Sequence, residues 1–374
     1  MKQIRGEPLQ GKKVVVVGGG SSGVAAARLS SSAGARVLLL ERDPSAIDRQ
    51  TEHLLQREAV ELETGQHGEE QFRGADLVCL SPGIPDRVVR ALLPERGGAP
   101  IVSELELAWW FADKPAIAVT GTNGKTTTVS LMKLMLESSG TAAFLGGNIA
   151  PPLSEYILGG EPKQVLVLEA SSFQLQNTVH FRPEVGVLLN FSPNHLDHHL
   201  SLEEYFRAKL RLFRNQRETD LAVLPQRMRG ELETQPEIPP NRQYFRDRGV
   251  FSCPALLGDH NKENMEAAYA ACRPFGVSQE AAQEAMRDFS PAEHRLQPLG
   301  RINGVLFVDD SKGTTLAAQR AALQSFDSPV LLLAGGRLKG GDPREIADLF
   351  PSRVKAAGVF GECRQDLRDA WKDL

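Results

Sequence analysis

The chain has 374 residues, with 47 acidic against 43 basic side chains and a formal charge of −4 at pH 7. At roughly 150 residues per domain the length predicts two or three domains, and the near-balanced charge gives no basic footprint for nucleic acid or an anionic membrane. Four scattered cysteines (Cys79, Cys253, Cys272, Cys363) form no CxxC pair, which excludes a disulfide scaffold or zinc ribbon.

Hydrophobic residues at 41% and charged residues at 24% are ordinary for a globular chain. No apolar run approaches the ~18 residues of a membrane span. The polar opening MKQIRGEPLQGKK leads into a strand and does not read as a secretory signal. The expectation is a cytoplasmic monomer acting on small molecules, with neither nucleic acid nor membrane as partner.

Short apolar runs recur, most of them followed by a helical stretch. They are Val14–Val17, Val37–Leu40, Leu77–Leu80, Ile117–Val119, Val165–Leu168, Val185–Leu189, Val305–Val308, Val330–Leu333 and Gly358–Phe360. Without alternation, such runs predict strands buried on both faces and therefore parallel. The fold class is α/β, built from doubly wound units. One boundary is expected near Ala112–Pro115, after a helix Glu104–Phe111 whose Trp109 and Trp110 pack inward. Another is expected near Ser290–Pro291, where a helix ends before proline. Between Pro225 and Arg242 the Pro, Glu and Arg content predicts a surface excursion.

The first run opens into Gly18-Gly19-Gly20-Ser21-Ser22-Gly23 and a helical Val24–Ser30, and Glu41 closes the next run. This is G-x-G-x-x-G between strand and helix, with an acidic residue at the end of the following strand. Glycines let the backbone approach a diphosphate, and the helix N-terminus offers N–H groups and a positive dipole end. A dinucleotide oxidoreductase can use such a turn; so can a protein that binds a UDP-sugar.

The second motif is more specific. Ile117–Val119 leads into Thr120-Gly121-Thr122-Asn123-Gly124-Lys125-Thr126-Thr127-Thr128 and a helix through Glu137. Val119 stands where a strict Walker pattern has glycine, so this is a variant P-loop. Its backbone N–H groups would surround phosphate, with Lys125 on the β- and γ-phosphates and the Thr126 hydroxyl on Mg²⁺. ATP or GTP is the predicted ligand.

Two further runs end on the same edge of a parallel sheet. Glu169, at the end of Val165–Leu168, is a predicted oxygen ligand for Mg²⁺. Asn190 precedes His195-Leu196-Asp197-His198-His199, a cluster without the cysteines that would strengthen a zinc reading. Ser201-Leu202-Glu203-Glu204 then opens a helix with an apolar stripe of Leu202, Tyr205, Phe206, Leu212 and Phe213. Lys209 falls inside that stripe. Either it snorkels to solvent, or burial lowers its pKa and frees a neutral amine able to add CO₂ as a carbamate.

Downstream, Asn261 and Asn264 sit three apart on one helical face, as a cap or as paired donors and acceptors for a base. His294-Arg295, the turn Asp309-Asp310-Ser311-Lys312-Gly313-Thr314 and the loop from Gly335 through Lys339 to Gly341 place charges at further strand ends. Anionic ligands are implied, although solvated loops would look alike.

Taken together, Gly-Thr-Asn-Gly-Lys-Thr-Thr at 121–127, Glu-x-Ser-Ser-Phe-Gln-Leu at 169–175, Ser81-Pro82-Gly83-Ile84, Gly146-Gly147-Asn148-Ile149, Asn-His-Leu-Asp at 194–197 and Asp-Ser-Lys at 310–312 form a distinctive set. In order and spacing the chain resembles the Mur ligases, three-domain ATP-dependent amide ligases of peptidoglycan precursor assembly, and especially their D-glutamate-adding branch. The resemblance implies a Rossmann-like UDP-sugar domain at 1–113, a P-loop ATP-binding domain at 114–292 and a Rossmann-like amino-acid domain at 293–374. It also implies ligation of D-glutamate to UDP-N-acetylmuramoyl-L-alanine through an acyl phosphate.

Residue by residue, the resemblance assigns the UDP-sugar to Ser21, Ser22, Glu41, Ser81, Asn148 and Ser171. ATP falls to Gly121, Thr122, Asn123, Gly124, Lys125, Thr126, Thr127, Asn261, Asn264, Arg295 and Asp310. Two Mg²⁺ ions would take Thr126, Glu169, His195 and a carbamylated Lys209, with Lys125, His195 and Lys209 catalytic. D-glutamate would meet Lys312, Thr314 and Lys339. The family continues with another strand and a Ser-Pro-rich loop where this chain stops at Leu374, so a shortened third domain is expected.

Overall fold

In the computed structural model, residues 8–93, 98–192, 199–256, 258–290, 293–294, 296–314, 316–326, 328–338, 341–372 and 374 are described. The first five strands are β1 (Lys13–Val17), β2 (Arg36–Glu41), β3 (Val60–Thr64), β4 (Leu77–Leu80) and β5 (Ile101–Ser103). They form one all-parallel sheet in the order β3-β2-β1-β4-β5. Val14, Val15 and Val16 have no exposed surface, because the sheet is covered on both faces and the run has no polar alternate.

A second parallel sheet uses β6 (Ala116–Thr120), β7 (Ala143–Gly147), β8 (Val165–Glu169), β9 (Val185–Leu188), β10 (Leu221–Pro225) and β11 (Arg242–Phe245). Its order, β11-β10-β9-β6-β8-β7, sets β6 between β9 and β8. The three motif-bearing strand ends are therefore direct neighbours.

The third segment departs from expectation. β12 (Gln297–Ile302) and β13 (Val305–Asp309) form an antiparallel pair, whereas β14 (Val330–Gly335) and β15 (Val354–Phe360) form a separate parallel pair. The run Val305–Val308 is thus antiparallel and partly exposed, not a buried parallel strand, since Gly304 at φ 82° turns the chain straight back from β12 into β13. The excursion after Pro225 lies mostly at the surface, as expected, and is held down by apolar anchors. Leu232 and Ile238 are buried, and Arg242–Phe245 pairs with β10 as the sheet's edge.

The helix Glu104–Trp109 lies between the two large sheets and is buried throughout. Trp109 packs edge-on against Phe181 at 5.1 Å, so the tryptophans serve packing as expected. The Glu106 carboxylate accepts from the N–H groups of His180 (2.7 Å) and Phe181 (2.9 Å) and from the Trp110 indole (2.7 Å). Glu104 is less well served. One oxygen accepts from the Ser154 N–H at 2.7 Å, and the other has no hydrogen-bond partner among the described residues.

Burial pushes the Glu104 carboxyl up to about 7, against the opposing pull of the Ser154 N–H. A carboxyl raised in the folded state contributes stability that is full below its ordinary value near 4.5 and is lost as pH rises through about 7. The loss amounts to about 3 kcal/mol. Glu104→Gln keeps an acceptor for Ser154 without the charge, and is expected to flatten this dependence. Urea denaturation at pH 5 and pH 8 checks it; the same pH dependence in both proteins would refute the assignment.

Candidate active site

At the first sheet's carboxyl edge the glycine-rich turn is pinned by its neighbours. A Cβ on Gly23 would lie 1.8 Å from the Gly18 carbonyl oxygen, so only glycine lets the helix Ser21–Ser32 start there. Glu41 accepts from the Gly19 N–H at 2.5 Å and the Asp43 N–H at 2.8 Å, and Ser81 Oγ donates to the Gly18 carbonyl at 2.8 Å. Glu41 and Ser81 therefore shape the loop directly. Ser21 is exposed and Ser22 half-buried at the start of the helix, which has no side-chain cap.

At the second sheet, the helix Lys125–Ser138 starts from Gly124, again with no side-chain cap over its first N–H groups. Gly124 has φ +83°, and a Cβ there would fall 2.6 Å from Asn264 Oδ1, so glycine is required twice over. Asn190 Oδ1 accepts from the N–H groups of Thr122 (3.0 Å) and Asn123 (2.9 Å), and its amide donates to the Asn123 carbonyl at 3.0 Å. Those two residues, expected on phosphate, thus give their N–H groups to Asn190. The uncapped first turn, Gly124 through Thr127, is the kind of helix start that can receive an anion.

Lys125 Nζ donates to the carbonyls of Gly121 (2.9 Å) and Thr122 (3.1 Å). Lys209 Nζ donates to the same Gly121 carbonyl at 2.9 Å and lies 4.4 Å over the Tyr205 ring. Lys209 is 1% exposed, so the snorkelling alternative does not hold. Burial, and then the positive charge of Lys125, holds its ammonium well below the ordinary lysine range. Two amines converging on one carbonyl suit a site that receives concentrated negative charge.

Glu169, 3% exposed, accepts from Thr126 Oγ1 at 2.7 Å and from the Asn148 amide at 2.9 Å. A buried carboxylate against a P-loop hydroxyl is a hard-oxygen pair, which fits Mg²⁺. Asn148 therefore orients Glu169. Ser171 caps the helix Ser172–Gln176, accepting from the Gln174 N–H at 3.3 Å while Gln174 reaches back to the Ser171 N–H.

Asn261 and Asn264 are buried in the first turns of the helix Asp259–Cys272, and the Asn264 amide donates to Asn261 Oδ1 at 2.9 Å. Beside them lies a cleft of about 290 Å³ lined by Asn123, Gly124, Asn190, Arg227, Asn264 and Ala321, among others. Ala321 belongs to the helix Leu316–Gln324 of the third segment. In that segment Asp310 Oδ1 accepts from the Leu296 N–H at 3.0 Å, while Lys312 and Thr314 are exposed on the turn after β13. His195, Arg295 and Lys339 lie outside the described residues. Asn190, Tyr205 and His199 join the site without having been assigned to it from the sequence; Asn190 was visible only as the polar residue ending a strand run.

Residues 119–237 match the family model of the Mur ligase middle domain, and residues 4–96 match that of the alanine dehydrogenase/PNT C-terminal domain. The UDP-N-acetylmuramoylalanine–D-glutamate ligase of Oleidesulfovibrio alaskensis is 47% identical over 348 residues, covering 91% of this chain and 77% of that protein. The enzyme of the same name from Nitratidesulfovibrio vulgaris (strain Miyazaki F) is 49% identical, over 90% of this chain and 78% of that one. The chain belongs to the UDP-N-acetylmuramoylalanine–D-glutamate ligase family. Solved structures of more distant Mur ligases share its fold. MurC from Thermotoga maritima has a TM-score of 0.60 at 19% identity, over 96% of this chain and 88% of that one. MurF from T. maritima, in complex with ADP, has a TM-score of 0.57 at 16% identity, over 98% and 87%. No helix among the described residues of this family member is long and apolar enough to cross a membrane.

Proposed function

We propose that the chain joins D-glutamate to UDP-N-acetylmuramoyl-L-alanine at the expense of ATP, in peptidoglycan precursor synthesis in the cytoplasm. The observation that carries this reading is the convergence of Lys125, Lys209, Thr126 and Glu169 on one strand edge, in a chain of this family. The alanyl carboxylate oxygen attacks the γ-phosphorus of ATP; a P–O bond forms and the β–γ bridge breaks, releasing ADP. The D-glutamate amine then attacks the acyl carbon, loses a proton, and expels phosphate as the C–N bond forms.

A carboxylate and a triphosphate repel each other, and the residues' share is to neutralise and position them. Lys125 faces the β- and γ-phosphates, with the N–H groups of Gly124 to Thr127 around them. Thr126 and Glu169 would hold one Mg²⁺, and His195 with a carbamylated Lys209 a second. Bound Mg²⁺ offsets phosphate charge and orients its oxygens. Carbamylation forms an N–C bond between neutral Lys209 and CO₂ and releases a proton, which turns a buried neutral amine into an anionic ligand. Asn264, beside the cleft, and Asn261 suit the adenine, while Arg295 and Asp310 contact ATP.

Ser21, Ser22, Glu41 and Ser81 form the UDP end, and Asn148 and Ser171 the sugar–alanine end. Lys312, Thr314 and Lys339 receive D-glutamate. This assigns the segments 1–113, 114–292 and 293–374 to UDP-sugar, ATP and amino acid respectively, a division supported by the sheets ending at Ser103 and beginning at Ala116. The test is phosphate release from ATP with UDP-N-acetylmuramoyl-L-alanine, with and without D-glutamate. Release that needs another amino acid, or none, would overturn the reading.

A further inference from the structure

Glu169 and Lys209 stand on different elements, one ending β8 and the other on the helix Leu202–Leu210. His199 joins those elements. It is 1% exposed, and its Nε2 lies 3.0 Å from Oγ of Ser172, three residues after Glu169. Its ring stacks on Phe173 at 5.4 Å with an interplanar angle of 19° and meets Tyr205 at 5.2 Å. Tyr205 in turn lies beneath the Lys209 amine, and its hydroxyl is 3.3 Å from Thr122 Oγ1 on the P-loop. Nδ1 of His199 is 4.0 Å from the Glu204 carboxylate.

We infer that His199 is a positioning residue, which clamps the Ser172–Phe173 segment to Tyr205 and so fixes the separation of Glu169 from Lys209. A histidine that only fills space needs none of this geometry. The aromatic stack holds the ring plane, and the Ser172 bond fixes its rotation, so the two elements cannot slide independently. Loss of a partner that orients a ligand weakens metal affinity by about 10–100-fold. Naming the cation as magnesium at a ligase site rests on the proposed function; the clamp itself does not.

The test uses the whole chain saturated with a non-hydrolysable ATP analogue and titrates Mn²⁺ by electron paramagnetic resonance. His199→Phe keeps the ring and loses the Ser172 bond, and Ser172→Ala removes the same bond from the other end. Each is expected to weaken Mn²⁺ binding about tenfold. The double variant should lose little more, while affinity for UDP-N-acetylmuramoyl-L-alanine is kept. Folded variants with unchanged Mn²⁺ affinity and only a lower melting temperature would overturn the inference. Should His199→Phe fail to fold, Ser172→Ala decides alone. If the unaltered chain shows no D-glutamate-dependent phosphate release, the ligase reading falls, and the Mn²⁺ titration still tests the clamp.

Discussion

Replacing Lys125 with methionine is expected to lower D-glutamate-dependent phosphate release by about 10²–10³-fold, the usual effect of deleting one preorganised charge-stabilising donor. Lys125 is the first residue of its helix, and its amine is held over the loop by the carbonyls of Gly121 and Thr122. Methionine keeps the length and the apolar stem, so the helix start should survive and the lost element is the charge. The loss should appear in kcat at saturating substrates. The glycine-rich turn proposed to hold the UDP-sugar lies on a different sheet, so KM for that substrate should change little. A kcat within threefold of the unaltered chain would remove Lys125 from the phosphoryl-transfer machinery.

Lys209→Ala is expected to cost a similar factor, for a different reason. The unaltered side chain is buried with its amine 2.9 Å from the Gly121 carbonyl, beside the charge of Lys125. A neutral amine there can become a carbamate; alanine cannot. Acetate or propionate should partly restore activity to Lys209→Ala by supplying a carboxylate in the vacated volume. Lys209→Arg should stay inactive, since a guanidinium does not lose its proton in a protein. Full activity of Lys209→Ala, or an active Lys209→Arg, would end the carbamate proposal.

The strand runs that carry the site were legible because they are continuous and apolar. Val165–Leu168 and Val185–Leu189 are buried on both faces, and that requirement is written in their composition. The edge strand Arg242–Phe245 was not legible. One of its sides is open, so polar residues are tolerated and the apolar signal disappears. The antiparallel return of Val305–Asp309 was missed because a run of Val, Leu and Phe reads the same in either direction.

At the site, the glycine spacing and the Lys-Thr pair announced a phosphate loop, since few other residues allow backbone to surround an anion. Which side chain serves that loop was not announced. Asn190 takes the N–H groups of Thr122 and Asn123 only because β9 lies directly beside β6. In the same way, Lys209 at a buried stripe position offered two outcomes. Packing of Tyr205 beneath its amine, with Lys125 nearby, selected the buried one.

Sequence by itself determined the chemistry on offer: a diphosphate-type turn, a variant P-loop, a hard-oxygen acid at a strand end and a lysine within an apolar stripe. These are local properties, set by backbone freedom and side-chain type. Tertiary structure alone decided which groups meet. The order β9-β6-β8 brings Asn190, Lys125 and Glu169 together across dozens of residues, and burial shifts the Lys209 ammonium downward and the Glu104 carboxyl upward in pKa. Neighbourhood and desolvation depend on the whole packed chain, and no short stretch of residues encodes them.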